Sequence, residues 1–522
     1  MKAQYKIGLA MLAVAASTVT GCKFGKDKTV AGQVNFWSSF GGAYTTVLND
    51  VVKKITDKTG IPIEHSSQGS YDEINRNMIS AIAVGDYPNI AMGYPDHFAT
   101  YLSSGILTPV DTYLTEEDKA DYYNEYMTEN YFYDDSGEKR LYALPFNKST
   151  ELLGYNGVFV DYCATLNPEL GVIPATWAEW EVKAPLYNTI FKGLMGKTLY
   201  GKQNVEGKAS DFSLSPGEGL QPLLDMTKVK ESSSVLMSWD ATDNAFITLT
   251  RQWGAEYTNL PESEKDKPMK RRIGQVLFNS EANQPKVIEM LKFFNRFNKA
   301  RIFDTPSALG GTYASDAFEQ CKVMFMVCSS GGLSYNTAIW NHRFRSAPIP
   351  YFDADHKAVI SQGANICLTN KGEYENSVAV IKALTRGDFQ ADWCLETGYY
   401  PCSKSALESE AYQRFLHEAD SDVATTDELM KAAYASPTRV AYREGSELNA
   451  NEYMDANKHW NKFVDPAFNG SSKIRSVVKS VFTSTFSIAQ ADIENTAKYK
   501  AVLDQIEQNP TLKGESTILF VH

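Results

Sequence analysis

The chain has 522 residues, 43% of them hydrophobic and 12% aromatic, enough core for two or three domains and unlike a disordered or collagen-like chain. Its formal charge is −12, with acidic residues scattered rather than gathered in a run. No basic stripe is present to displace counterions, which disfavours binding to a nucleic-acid backbone.

Lys2 and Lys6 give the start of the chain a positive end, followed by the short apolar stretch Ile7 to Ala16 and then Val19-Thr20-Gly21-Cys22. This is the pattern of a secretory signal over residues 1–21. The apolar stretch falls short of the roughly 20 residues a membrane-spanning helix needs. A cysteine directly after a small residue at the cut resembles a bacterial lipobox. On that reading Cys22 carries a lipid and residues 22–32, polar from Lys23 to Lys28, form a tether. An ordinary secretory signal with a chance cysteine is the alternative.

From Gln33 the chain alternates strand and helix patterns. Gln33 to Trp37 reads as a strand, ended by Ser38-Ser39-Phe40-Gly41-Gly42. Ala43 to Thr59 carries Val47, Leu48, Val51, Val52 and Ile55 at helical spacing, and Gly60 stops it. Ile61 to Glu64 returns to strand, Tyr71 to Val84 is helical, and Asn89 to Met92 is a third strand. A βαβαβ order predicts an α/β fold with open, mainly parallel sheets flanked by helices. Ligands of such sheets bind beyond the carboxyl ends of the strands, so the residues just after each strand matter most.

Further along, Glu151 to Asn156 reads as a strand, and Thr176 with Glu179 forms the signature of a capped helix start. Trp177, early in that amphipathic helix, is assigned to the core. Gly193 to Ser234 is rich in Gly, Ser and Lys and carries no clear period; Lys183 to Ser238 reads as an insertion. Helices resume at Trp239 to Gly254 and Ala282 to Ala300. Val323 to Val327 is a buried-strand candidate ended by Cys328-Ser329-Ser330-Gly331-Gly332. The last third is mostly helical, with apolar stripes in Tyr374 to Leu384 and Ile474 to Phe486.

Besides Cys22, cysteines stand at 163, 321, 328, 367, 394 and 402, with no CxxC among them, and the seven histidines are dispersed. These spacings match no zinc pattern, and no metal or cofactor is expected. Cys394 with Cys402 is one candidate disulfide; buried free thiols are the alternative.

Several blocks read together carry a family likeness: NFWSSFGG at 35–42, GSYDEINRNMISAIAVGDYPNIAMGY at 69–94, SSGILTPVDTYL at 103–114 and YALPFNKSTELLGYN at 142–156. They are followed by IPATWAEW at 173–180, KVMFMVCSSGGL at 322–333, the block starting at Gly363, and TGYYPCSKSAL at 397–407. Their order resembles the family 1 extracellular solute-binding proteins of ABC transporters, and most of all the glycerol-3-phosphate- and sugar-binding receptors. The likeness runs from about Val34 to Ala406. It implies a two-lobed periplasmic-binding-protein fold with hinged lobes that close on the solute. The corresponding division assigns residues 33–150 and 305–360 to an N-terminal lobe and residues 151–304 and 361–522 to a C-terminal lobe.

The resemblance also implies ligand-binding positions. They are Trp37 and Ser39 after the first strand, Tyr71 opening the second helix, Ser149, Trp239, Ser329, Gly363 and Tyr399, the last from the far lobe. The glycerol-phosphate type carries an acidic residue after its third strand. Here Pro95 intervenes, so Asp96 either supplies that carboxylate from a shifted backbone or the solute differs. A basic residue for a phosphate falls at Arg439, with Arg443 as the competing alignment, and the family's second cleft tryptophan has no counterpart near Asp243. Implied partners are a small polar solute (a sugar, polyol or glycerol phosphate), ABC permease subunits and, through lipid, a bacterial membrane; no nucleic acid is implied, and the protein is expected to be a monomer.

Residue chemistry agrees with that role. Hydroxyl, amide and carboxylate side chains satisfy solute hydroxyls, and aromatic faces pack against C–H surfaces. Each position also has a plainer use: Trp37 as core, Ser149 and Ser329 as turn residues, Tyr399 as a helix-end contact and Arg439 in a surface ion pair. No Gly-x-Ser-x-Gly, HExxH or phosphate-cradling glycine loop occurs, so an enzyme is not expected. A carbohydrate-active hydrolase and a surface adhesin are the alternatives.

Overall fold

The structure, a computed structural model, describes residues 30–204, 208–311, 313–332, 344–417 and 461–522. Cys22, Arg439 and Arg443 lie outside these residues. The early elements form where the apolar period changes. Val34–Ser38 alternates buried and half-buried residues, as a strand covered unequally on its two faces should. Gly42–Thr59 then turns Leu48, Val51, Val52 and Ile55 to one side, and Tyr71–Val84 does the same with Ile74, Met78 and Ala81. The second helix starts on a capping box. Glu73 Oε2 accepts from the Ser70 backbone N–H at 2.7 Å, and Ser70 Oγ accepts from the Glu73 N–H at 3.3 Å.

Two sheets organise the molecule. In the first, Val34–Ser38 pairs in parallel with Ile63–Ser67 and Ile90–Gly93. Asn365–Leu368 lies antiparallel between Ile90–Gly93 and Ala143–Pro145. The second sheet has a parallel part, Phe303–Asp304, Met237–Trp239 and Phe325–Ser329. It continues through the antiparallel Ser149–Asn156, which also pairs with Phe344–Ala347 and Ala358–Gln362. Each sheet is thus parallel where βα units build it and antiparallel where a strand arrives from the other lobe. Helices pack on both sheets, and each lobe has its own core.

The lobes are divided differently from the sequence-based division. Residues 305–360 belong to the second lobe, since Phe325–Ser329 and Ala358–Gln362 are strands of its sheet. From Ala364 to Tyr412 the chain is back in the first lobe, apart from Tyr400 and Cys402, which join the second core. It serves the second lobe again from Asn461 onward. A buried strand reads as an apolar run whichever sheet receives it, so periodicity carries no information about its partner.

The stretch without a clear period holds a small antiparallel sheet, ordered Gln221–Asp225, Thr198–Gln203, Ala209–Ser213. Cys163, Cys328, Cys367, Cys394 and Cys402 are free thiols and, like Cys321, buried. Among the described residues no helix is long and apolar enough to cross a membrane.

The interlobe cleft as candidate functional site

The carboxyl ends of the parallel strands point toward the junction between the lobes. Ser38 ends the first strand there and Ser39 follows it, Tyr94 follows Ile90–Gly93, Asp240 follows Met237–Trp239 and Ser330 follows Phe325–Ser329. The chain crosses the junction at Phe146 to Lys148 and at Gly363 to Ala364. A buried ion pair of Lys148 with Glu129, side chains 1% and 9% exposed, sits at this crossing. Lys148 Nζ also donates to Gly363 O at 3.2 Å, and Glu129 Oε1 accepts from Asn365 Nδ2 at 2.9 Å. Gly363 has φ +127°, and a Cβ there would overlap the carbonyl of Asn147. The missing side chain at 363 therefore lets the two crossing segments lie against each other.

The first lobe contributes an aromatic wall. Trp37 is half-buried against its core. Tyr71 packs on Tyr94 with ring centroids 4.7 Å apart, and Tyr399 stacks on Trp393 at 6.2 Å and 12°. Tyr399 belongs to this first lobe, yet its ring covers Gly331 of the second, where a Cβ would collide with it. Tyr44 Oη donates to Gly331 O at 2.9 Å from the same side. The Ser39 hydroxyl is buried and has no hydrogen-bond partner among the described residues. Asp96 is buried in the first turn of Pro95–Ser103, its Oδ1 accepting from the His97 N–H at 3.0 Å.

The second lobe contributes a polar floor. Glu151, 2% exposed, begins the apolar run of its strand. Its Oε1 accepts from Trp239 Nε1 at 2.9 Å and from Asn244 Nδ2 at 3.1 Å. Burial pushes the Glu151 carboxyl up to about 7, against the pull of those two donors. Asn244 Nδ2 also donates to Gln362 Oε1 at 2.7 Å, and Asn244 Oδ1 accepts from Arg475 Nη2 at 2.8 Å. Trp239 is 1% exposed and held by Glu151, so in this conformation it supports the floor from the core and offers no open face. Ser149 is buried beside the crossing, paired with Gln362, and Ser329 Oγ accepts from the Gly331 N–H at 3.1 Å.

Arg475 occupies the middle of this arrangement. It is the fifth residue of Ser471–Thr485, and its guanidinium lies 5.9 Å from the centroid of Tyr94 on the opposite lobe. Nε and Nη2 both donate to Asp243 Oδ2, at 3.2 and 3.1 Å. Burial alone would lower the Arg475 pKa; the charges of Asp243, Asp96 and Asp465 outweigh it and drive the value upward. Asp465 itself is pushed up to about 6 by burial, against the pull of Arg475 and Arg251. Neither Asp465 carboxylate oxygen has a hydrogen-bond partner among the described residues, nor has the buried Tyr257 hydroxyl, whose strongest charged neighbour is Asp465.

Tyr71, Asp96, Ser149, Ser329, Gly363 and Tyr399 lie near the junction with Trp239 beneath it, whereas Trp37 packs against the first-lobe core and Ser39 follows the first strand. Sequence reasoning missed Arg475, Asp243, Asp465 and Glu151. Two of them leave a signal. Arg475 falls on the same stripe as Ser471, Ile474, Val478 and Phe482, and Glu151 interrupts a strand that is otherwise buried and largely apolar. A charge on a buried face needs a local partner or a ligand. Among the described residues no group of three His, Cys, Asp or Glu side chains is arranged to hold a metal ion.

Two α/β lobes joined by crossing segments, with aromatic and polar side chains facing each other across the gap, define a binding protein of the hinged, two-lobed kind. The chain belongs to the bacterial extracellular solute-binding protein family, whose model matches residues 50–432. It is 22% identical over 437 residues to the sn-glycerol-3-phosphate-binding periplasmic protein UgpB of Escherichia coli O1:K1, covering 81% of this chain and 84% of the relative. Among solved structures, UgpB from Mycobacterium tuberculosis in complex with glycerophosphocholine superposes with a TM-score of 0.60 at 17% identity, over 91% of this chain and 99% of that one. The GacH receptor of Streptomyces glaucescens, solved unliganded and with acarbose, gives 0.62 at 13% identity, over 92% and 99%. These proteins are receptors rather than enzymes, and the two-lobed fold is common to them and to this chain.

Proposed function

We propose that the protein is the extracytoplasmic solute-capturing component of an ABC importer, tethered to a bacterial membrane by lipid on Cys22. In this reading the interlobe cleft takes a carbohydrate, polyol or glycerol-phosphate-like solute and the closed protein delivers it to the permease. The observation that carries it is the meeting of an aromatic wall from one lobe with the Glu151–Asn244–Arg475 floor of the other. Aromatic faces against C–H surfaces and planar polar groups for hydroxyls are what a polyhydroxy solute requires. The UgpB relatives and the acarbose-bound GacH receptor support the same solute class.

A thermal-shift screen of sugars, polyols and glycerol phosphates tests the reading. At least one compound is expected to raise the melting temperature without being turned over; ligand at 100 times its Kd adds about 2.7 kcal/mol. Trp37→Ala is expected to reduce that shift. A flat response across the panel, together with unchanged tryptophan fluorescence, would overturn the receptor role. For the anchor, Cys22→Ser is expected to move the protein from the membrane fraction to the soluble one; retention in the membrane would refute lipidation at that residue.

A further inference from the structure

A cleft built for a phosphate presents an arginine with donors to spare and little negative charge around it. Arg475, the guanidinium at the centre of this cleft, is differently placed. Nε and one Nη2 hydrogen are directed to Asp243 Oδ2, and Nη2 also donates to Asn244 Oδ1. Its flat face lies toward Tyr94. Only the Nη1 edge remains for another partner. Arg475 and Asp243 are 23% and 24% exposed, so the pair borders the cleft rather than lying sealed beneath it.

The surrounding charge points the same way. Asp243, Asp96 and Asp465 all act on Arg475, whereas a further cation among the described residues, Arg251, lies over the Phe463 ring and acts on Asp465. Among the described residues, three carboxylates against two guanidiniums leave the centre negative. Burial holds His97 below its ordinary pKa, so it adds no cation at neutral pH. An ionised carboxylate accepts hydrogen bonds and cannot donate them, so the two buried Asp465 oxygens, without a partner among the described residues, call for donors, while Arg251 Nε and the Tyr257 hydroxyl beside them are unpartnered donors there. Solute hydroxyls are such donors, and a phosphomonoester dianion offers none from its phosphate group.

Resting on the receptor role proposed above, we infer that the cleft selects an uncharged polyhydroxy solute over a phosphomonoester, with Asp243 as the residue that sets this preference by occupying Arg475. Asp243 neutralises the guanidinium and fixes its orientation, so an incoming anion would have to displace a carboxylate while facing two more.

The test measures binding of glycerol, glucose, maltose, maltotriose and glycerol 3-phosphate to the wild-type protein and to Asp243→Asn by calorimetry. Asparagine retains an oxygen acceptor for Arg475 and removes the charge. The wild type is expected to bind at least one uncharged probe, and glycerol 3-phosphate at least tenfold more weakly than that probe. Asp243→Asn is expected to shift the ratio of the two affinities at least tenfold toward glycerol 3-phosphate. Tighter wild-type binding of glycerol 3-phosphate than of every uncharged probe would overturn the inference and leave the receptor role standing. An unchanged affinity ratio in a folded Asp243→Asn protein would remove Asp243 as its cause. If Asp243→Asn does not fold, the wild-type comparison decides alone, and binding of none of the five probes counts against both the inference and the receptor role.

Discussion

At the scale of single residues, the buried charges separate support from function. Glu151 has two strong donors and almost no exposure, and its carboxyl titrates near 7 because burial penalises the ionised form. Its folded pKa lies above its unfolded value of about 4.5, so the folded protein holds the extra proton between those two values. Stability contributed by the neutral form is complete below about pH 4.5 and declines as pH rises toward 7. The full effect is about 3 kcal/mol by linkage. Glu151→Gln retains an acceptor for Trp239 and Asn244 without the charge. It is expected to raise the unfolding free energy by about 1–3 kcal/mol at pH 8 and by little at pH 5, which urea titrations at the two pH values would show. An equal effect at both would mean that Glu151 is not protonated in the folded protein at the lower pH. The sequence made the post-strand residues legible because their position follows from the βα order. Arg475 and Asp243 were not legible as a pair: they are far apart in the chain, and only the packing of two helix starts joins them.

At the scale of elements, local rules placed most helices and strands close to where the structure has them. Tyr71–Val84 carries its apolar stripe and ends at Gly85, and Trp177–Leu194 starts on the Thr176 and Glu179 caps that the sequence signature announces. The three-stranded sheet at 198–225 was not legible. Its strands are short and mostly polar, with Leu199, Leu223 and Leu224 as their buried apolar side chains, so no sustained apolar alternation marks them. The crossing segments depend on a backbone rule more than on any side chain. At Gly363 both the φ of +127° and the space taken by Asn147 exclude a Cβ. Gly363→Ala is therefore expected to cost more than about 4 kcal/mol, or to force the two crossings apart, readable as a lower urea midpoint and loss of solute-induced stabilisation. A variant of wild-type stability would show that the crossings are not packed as described.

At the scale of the whole molecule, the Lys148–Glu129 pair is a charged contact buried where the chain crosses between the lobes. Removing one partner leaves the other buried and unpaired, a loss of about 3–5 kcal/mol. Lys148→Met should show this loss, and adding Glu129→Gln should recover a substantial part of it. A double-mutant cycle from denaturant melts measures that coupling; additive losses would mean that each side chain acts independently. Which lobe each late segment joins could not be read from pattern, because the chain returns to the first lobe after building most of the second. That choice is made by long-range strand pairing, for which the sequence has no local mark.

The return has a consequence for how the protein comes into being. Asn365–Leu368 is an inner strand of the first sheet, lying between Ile90–Gly93 and Ala143–Pro145. While the chain is still emerging from the ribosome, the earlier segments of that lobe lack the strand that unites them. More than 200 residues of the other lobe must follow before it arrives. Closure over so long a separation is slow, so the nascent lobe stays unfinished until most of the polypeptide has been made.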